Sequence, residues 1–217
     1  MFETILMSQN STGRVITKIE FQVKRITRRS IFLDGEYSFS ISPETYDLFP
    51  INKGQTLTDK QIQVIQNHEQ FEKAKNLALN YIGLRIRSTK EVQTYLKRKK
   101  ILENVINRVI QYCNERNYLD DYTFAKAFTK DQLNLNKSGV FKIRSSLRTK
   151  GIAVEIIDLV VEELINRDEQ LDLAAKLGKR KLRLLTKDTN KKQKIYRFLL
   201  QKGFTIEVIK EALKILI

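Results

Sequence analysis

LRTKGIAVEIIDLVVEEL (Leu147–Leu164) returns 52 residues later as LLQKGFTIEVIKEALKIL (Leu199–Leu216), with its apolar residues in nearly the same places. Both copies carry Lys-Gly between two apolar segments, and glycine accepts the left-handed conformation that ends many helices. Apolar pairs four residues apart before this turn, such as Ile143 with Leu147, lie on one face of a helix. Each copy therefore predicts a helix, a turn at Lys-Gly and a second helix.

A third copy lies upstream around Leu96, with two lysines in place of Lys-Gly. Its residues Val92, Leu96 and Ile101 fall in register with the other copies. A further apolar segment precedes each copy and predicts a first helix, marked by Leu77, Ala78 and Tyr81, by Phe124, Ala125 and Phe128, and by Leu171, Ala174 and Ala175. Units of about 50 residues bury little surface alone, so we predict that three of them form an elongated, curved stack.

The start of the chain has the alternation of apolar and polar residues that is typical of half-buried antiparallel strands. The apolar residues of this pattern are Val15, Ile19, Phe21, Val23, Ile31, Leu33, Tyr37, Phe39 and Ile41. Asp34 and Gly35 predict a hairpin turn between two of these strands, because both central residues of such a turn need positive φ.

Helix start signals follow the strands. Pro43 after Ser42 predicts a short helix, and Thr58 with Gln61 predicts a capping box that opens a long one. The pattern is helical from there to the end, so we predict a mainly α fold preceded by a small β-hairpin or meander. We expect an N-terminal β-strand extension at residues 1–57 and helical repeats at residues 58–116, 117–168 and 169–217.

The charge of the chain is strongly basic and unevenly distributed. Lysine and arginine number 40 against 25 aspartates and glutamates, for a net charge of +15. Residues 71–217 carry all of it, because residues 1–70 hold eight basic and eight acidic side chains. This distribution indicates an acidic partner such as nucleic acid. The alternative is a solvated face that serves solubility alone.

Other features argue against a membrane protein and against most enzyme chemistry. No apolar run approaches the roughly 20 residues of a membrane span, and Glu3 stands where a signal peptide has positive charge, so we expect a cytoplasmic chain. Cys113 is the single cysteine, and we expect its thiol to be buried. His68 has no second histidine or cysteine group in the sequence that would complete a metal site. Asp120 or Asp121 is better explained as an N-cap than as part of a hydrolytic centre. We predict no catalytic residue, no metal and no cofactor.

Basic residues cluster on and beside the second helix of the repeats. We single out as candidate contacts for nucleic acid or an acidic protein Lys97, Arg98, Arg144, Arg148, Lys150, Lys179, Arg180, Lys181, Lys191, Lys192, Lys194 and Arg197. The densest segment is residues 176–202, with 11 basic residues and one acid. No motif for reading base edges stands out, so we expect binding of nucleic acid to depend weakly on sequence.

Three motifs, in their order and spacing on a triple three-helix repeat, resemble those of the RecX family of recombinase regulators. They are LRIRSTKEVQTYLKRKK, NYLDDYTFAKAF and IRSSLRTKGI. The strands with YSFSIS and KGQTLT resemble the extension found on RecX proteins of Gram-positive bacteria. Ile86, Asn117 and Val140 stand where the family often has proline, glycine and proline, and these differences concern local turns.

The resemblance implies a non-enzymatic regulator in DNA repair and the SOS response. Such a protein binds RecA, above all RecA filaments on single-stranded DNA, and limits strand exchange and ATP hydrolysis. The implied partners are RecA, its nucleoprotein filament and single-stranded DNA, with double-stranded DNA as a further candidate. We expect a monomer that contacts no membrane.

Two other classes of protein stay open. A helix-turn-helix resembles part of each repeat, so a weakly sequence-specific architectural or transcription factor is the main alternative. A preferred site selected from random DNA would support it. A nuclease that uses Asp120 and Asp121 would instead show metal-dependent cleavage that is lost in Asp121→Ala.

Overall fold

The computed structural model describes residues 13–23, 25–185 and 190–217 of the 217-residue chain. Four antiparallel strands form one sheet in the order β3-β2-β1-β4, and they are β1 Arg14–Gln22, β2 Arg25–Leu33, β3 Glu36–Ile41 and β4 Thr56–Leu57. The described residues also contain ten helices: α1 Pro43–Leu48, α2 Asp59–Gly83, α3 Thr89–Arg98, α4 Glu103–Glu115, α5 Asp121–Asn134, α6 Val140–Thr149, α7 Val154–Leu164, α8 Arg167–Arg183, α9 Lys191–Lys202 and α10 Ile206–Leu216. The predicted mainly α fold with a small N-terminal sheet is confirmed.

The turns and caps of the N-terminal part follow the prediction. Asp34 and Gly35 have φ of 53° and 91° and form the turn between β2 and β3. Ser42 caps α1, and Thr58 exchanges two hydrogen bonds with Gln61 at the start of α2. Strand β4 was not predicted, because two residues are too short to show an alternating pattern.

The sheet differs from the prediction in which apolar residues face the core. A register shift in β1 just after Ile16 brings this residue into the core, and Val15 is exposed instead. Phe21, Val23 and Tyr37 of the predicted apolar set are also exposed. They lie at strand ends, and register shifts occur beside Phe21 and opposite Tyr37, so the regular alternation does not continue through them.

The three copies of the repeat bury the same positions. Both residues of the apolar pair are fully buried in every copy, namely Val92 and Leu96, Ile143 and Leu147, and Ile195 and Leu199. Gly151 and Gly203 end the second helices of the later copies with φ of 81° and 87°, and Lys100 has a φ of 60° in the first. The second and third repeats have separate hydrophobic cores. The repeats are confirmed, and the elongated, curved form of the stack stays a prediction.

The second helices of the last two repeats meet end to end. The N–H groups of Gly139 and Phe141 at the start of α6 donate to the carbonyls of Lys202 and Gly203 at the end of α9, at 2.8 and 2.9 Å. These N–H groups have no partner within their own helix, so the next repeat satisfies them. A Cβ atom added to Gly139 would lie 2.3 Å from backbone atoms of Gly203 and Phe204. The joint therefore requires glycine at this position.

A similar joint links α3 to α6. The Ser88 hydroxyl donates to the carbonyl of Lys150 at 2.8 Å, and Asp121 accepts the first N–H of α3 at 2.8 Å. Gly151 lies so close to Lys90 that an added Cβ would come within 2.5 Å of its side chain. The start of α6 is thus capped by the turn that ends α9, whereas the start of α3 is capped by Asp121 and is joined to the turn that ends α6 through the Ser88 hydroxyl.

The described part of the chain divides into two compact units. One consists of the described residues up to Tyr81 together with Leu96–Tyr112, and the other consists of Ile82–Tyr95 together with Cys113–Ile217. The core of the first unit includes fully buried residues of β1 and β2, such as Ile16 and Ile31. Both joints between second helices belong to the second unit.

Candidate nucleic-acid interface

Lys97 and Arg98 lie in the last turn of α3, and Arg148 lies in the last turn of α6. Positive charge is favourable there, because the C-terminal end of a helix is partly negative. Lys97 and Arg148 occupy equivalent places, each directly after the buried leucine of its repeat, and both are exposed. Arg98 is exposed beside Lys97. The ammonium of Lys97 lies 3.0 Å from Glu103 in an exposed ion pair, which stabilises the fold by about 0–1 kcal/mol. These cations remain accessible to a phosphate.

Arg144 and Lys150 have acidic partners within the protein. Arg144 contacts Asp158 on α7, and the ammonium of Lys150 lies 2.6 Å from the carboxylate of Glu91 on α3. The guanidinium of Arg85 donates to both oxygens of Glu91 at 3.2 Å. Burial raises the pKa of Glu91, but the hydrogen bonds from Lys150 and Arg85 lower that pKa by more, so it lies below its ordinary value. Lys150 therefore holds two repeats together.

Replacing Glu91 by glutamine is expected to lower the free energy of unfolding by about 1–3 kcal/mol at pH 7, because two cations lose a charged acceptor. The folded pKa of Glu91 is depressed, so its stabilising effect is present above the ordinary glutamate pKa of about 4.3 and is lost as pH falls through the folded pKa. Denaturant unfolding at pH 7 and at acid pH should show this difference shrink.

The exposed pair of Lys97 and Glu103 supplies the matched control for this experiment. Glu103→Gln should change the free energy of unfolding by less than about 0.5 kcal/mol at either pH, as is usual for surface substitutions. A Glu91→Gln effect that stayed the same at both pH values would contradict the assigned role of the carboxylate.

The densest basic segment is divided over more than one face of the third repeat. Lys179 on α8 lines an open groove of about 320 Å³ together with Ile215 of α10. Lys181 points instead toward α9, where its ammonium lies 5.8 Å from the ring centre of Phe198. Positions two apart on a helix differ by about 200° around its axis, which explains the separation. Arg180 is exposed between them.

Helix α9 carries the remaining candidates of this segment. Lys192, Lys194 and Arg197 are exposed along α9, and Lys191 is half-buried in its first turn. Residues 186–189, which include Lys187, lie outside the described residues. Helix α9 therefore adds exposed cations to those of α8, where Lys176, Lys179, Arg180 and Arg183 are exposed.

A lysine-lined pocket of about 370 Å³ was missed by the sequence reasoning. Lys73 of α2 lies there with Lys99 and Lys100 of the turn after α3, and Leu102 forms part of its apolar lining. Lys73 is separated from the other two by more than 20 residues in the sequence. Because residues this far apart show no local pattern, no sequence signal joined them.

The residues considered for catalysis have structural partners. Asp120 caps α5, and hydrogen bonds from the hydroxyl and the N–H of Thr123 hold the pKa of this carboxyl below its usual value. Asp121 instead binds the start of α3, and burial lowers the pKa of His68. Cys113 is buried, and burial raises the pKa of its thiol. Among the described residues, no group of three or more histidine, cysteine, aspartate or glutamate side chains could hold a metal ion.

The architecture by itself defines a class of protein. A small antiparallel sheet precedes three helical repeats that carry exposed basic residues, and the cavities lined by lysines are open grooves at the surface. No helix in the described ranges is both long enough and apolar enough to span a membrane. This is the architecture of a basic helical-repeat protein.

Family models identify the chain more closely. The first, second and third three-helix domains of RecX match residues 74–113, 120–161 and 168–213, and the regulatory protein RecX N-terminal domain matches residues 14–58. The chain belongs to the RecX family of regulatory proteins, and a role connected with recombination follows from the family.

Similar proteins and structures cover between 69% and 92% of this chain. The regulatory protein RecX of Listeria welshimeri serovar 6b is 34% identical over 199 residues, which are 91% of this chain and 74% of the relative. That of Clostridium beijerinckii is 34% identical over 92% of this chain and 94% of its own length. A crystal structure of regulatory protein RecX matches with a TM-score of 0.73 and 29% identity, over 91% of this chain and 97% of that one. RecX from Lactobacillus salivarius matches with a TM-score of 0.63 and 26% identity, over 69% of this chain and 97% of that one.

Proposed function

We propose that this protein binds RecA and RecA filaments on single-stranded DNA, and that it inhibits their recombinase and ATPase activities without catalysing a reaction itself. The observation that carries the proposal is the location of the entire net charge of +15 in residues 71–217, the part that contains the three RecX repeats. A filament of protein and DNA offers both phosphates and carboxylates to such a surface.

The accessible cations suit this task better than they suit sequence-specific reading of DNA. Lys97 and Arg148 end their helices and are exposed, as are Lys192 and Arg197 of α9. Their positive charge neutralises phosphates, which contributes affinity without base selection. The proposed partners are therefore RecA and single-stranded DNA, bound by a monomer that works in the cytoplasm.

The test is to add the protein to preformed RecA filaments on single-stranded DNA and to follow the release of phosphate from ATP. The expected result is a dose-dependent fall in the hydrolysis rate at concentrations where the protein alone hydrolyses no ATP. An unchanged rate at concentrations that saturate binding would overturn the proposed inhibition.

An unrelated ATPase that depends on single-stranded DNA provides the control for sequestration of DNA. RecA should be inhibited at concentrations that leave the unrelated enzyme active. Equal inhibition of both enzymes would favour the second candidate, a weakly sequence-specific DNA-binding protein of the architectural or transcription-factor kind. The accessible cations on the second helices are the observation that supports this second candidate.

A further inference from the structure

One exposed leucine occurs at the same place in each of the three repeats. Leu84, Leu135 and Leu184 are each the first residue after the first helix of their repeat, and their exposed fractions are 79%, 75% and 73%. Scattered exposed leucines are ordinary on protein surfaces. Three at one structural position, with nearly equal exposure, form a repeated feature.

The equivalence is supported by the buried side of the same helices. Ala74, Ala125 and Ala174 are fully buried in the first helices, and each lies ten residues before the exposed leucine of its repeat. A side chain ten positions further along leaves a helix at a fixed height and angle from the alanine. Leu135 and Leu184, whose backbones continue the helical conformation, are therefore presented in the same way relative to the cores of their own repeats.

The joints between the second helices determine the distance between the starts of these helices. Each exposed leucine belongs to the loop that leads into the second helix of its repeat, and these helices meet end to end through the contacts of Ser88 and Gly139. A second helix of 10–12 residues is about 15–18 Å long, so the starts of successive second helices are separated by roughly this length. The row of exposed leucines, Leu84, Leu135 and Leu184, lies within one compact unit.

The basic residues beside the exposed leucines indicate what kind of partner these leucines contact. Arg85 follows Leu84 but already binds Glu91 within the chain, whereas Lys137 lies two residues after Leu135 and Arg183 precedes Leu184. The loops between the first and second helices, residues 84–88, 135–139 and 184–190, contain a single acidic residue in the sequence, Asp188. An apolar side chain beside a cation fits an apolar pocket that has a carboxylate at its rim. Leucine offers neither a hydrogen bond to phosphate nor a ring for stacking on bases, so the row suits protein better than DNA.

We propose that the leucine row docks onto a protein polymer whose identical subunits present apolar, acid-rimmed pockets at a regular interval. A repeated array on one molecule is matched most simply by a repeated array on the other, and several weak contacts add up to tight binding. This inference rests on the proposed function, in which that polymer is the RecA filament. The basic residues of the second helices contact the DNA, and the leucine row contacts the protein.

The experiment compares the wild-type chain with Leu84→Ser, Leu135→Ser, Leu184→Ser and the triple variant. Loss of one buried leucine contact should weaken filament binding about tenfold, and the triple variant should lose a factor of at least about 100. Affinity for protein-free single-stranded DNA should stay within about twofold. Leu159→Ser is the matched control, because Leu159 is 59% exposed and lies outside the row.

The possible outcomes separate this inference from the proposed function. A triple variant that binds filaments as tightly as the wild type overturns the leucine row alone. Equal losses of affinity for filaments and for bare DNA would mean that the leucines contact DNA, which overturns the inference. A wild-type chain that self-associates while the triple variant does not would make the row a contact between copies, and this also overturns the inference. A wild-type chain that binds no filament overturns the proposed function together with the row.

Discussion

Gly139→Ala is expected to lower the free energy of unfolding by about 2–4 kcal/mol, at or beyond the upper end for overpacked sites. The added methyl group would lie 2.3 Å from backbone atoms of Gly203 and Phe204, which a side-chain rotation cannot move aside. The backbone of Gly139 is extended, with φ of −77°, so alanine introduces no conformational strain of its own. The effect therefore reports the joint between α6 and α9.

Gly83→Ala is the matched control for this substitution. Gly83 ends α2, and a Cβ atom there would meet nothing within 4 Å, so alanine should be neutral or stabilise the fold by about 0.4–1 kcal/mol. Denaturation midpoints of both variants give the comparison. Faster amide exchange of Phe141 in Gly139→Ala would show the opened joint directly. A loss below about 0.5 kcal/mol would mean that the repeats do not depend on this contact.

The joint shows where sequence reasoning succeeds and where it stops. Gly151 and Gly203 were predicted as helix ends because left-handed backbone needs glycine, and both have positive φ. The same glycines also let the start of a neighbouring helix approach closely, which no periodicity within one repeat can indicate. Gly139 has ordinary φ, so only the neighbouring backbone explains why a glycine stands there.

The sheet and the basic surface show the same limit of prediction from local sequence patterns. Alternation predicted the strands, but a register shift in β1 exchanged the roles of Val15 and Ile16 in the core. Composition predicted a basic surface, but it did not reveal that Lys150 is paired with Glu91 from the preceding repeat. Local patterns determine which elements form, whereas contacts between distant segments determine which side chains remain available.

Reversing charge in the third repeat is expected to weaken binding to a nucleoprotein filament by two orders of magnitude or more at low salt. The change replaces six basic residues by glutamate, namely Lys179, Arg180, Lys181, Lys191, Lys192 and Lys194. Lysine, arginine and glutamate have similar helix propensities, so circular dichroism should show little loss of helix. Because the structure divides these cations between α8 and α9, the two triple reversals should be measured separately. The difference between the two triple variants shows which helix contributes more to binding.

Salt titration on single-stranded DNA distinguishes a phosphate contact from a general effect of net charge. The logarithm of the wild-type affinity should fall with the logarithm of salt concentration, with a slope of about −0.7 per phosphate neutralised, and the α9 reversal should have a shallower slope. Reversal of Lys53, Lys60 and Lys214 makes the same change in net charge at exposed positions outside the segment, and should change the slope little. If the α9 reversal and this control behaved alike, the segment would be a solvated face. Contacts would then be sought at Arg98 and Arg148, because Arg144 already contacts Asp158.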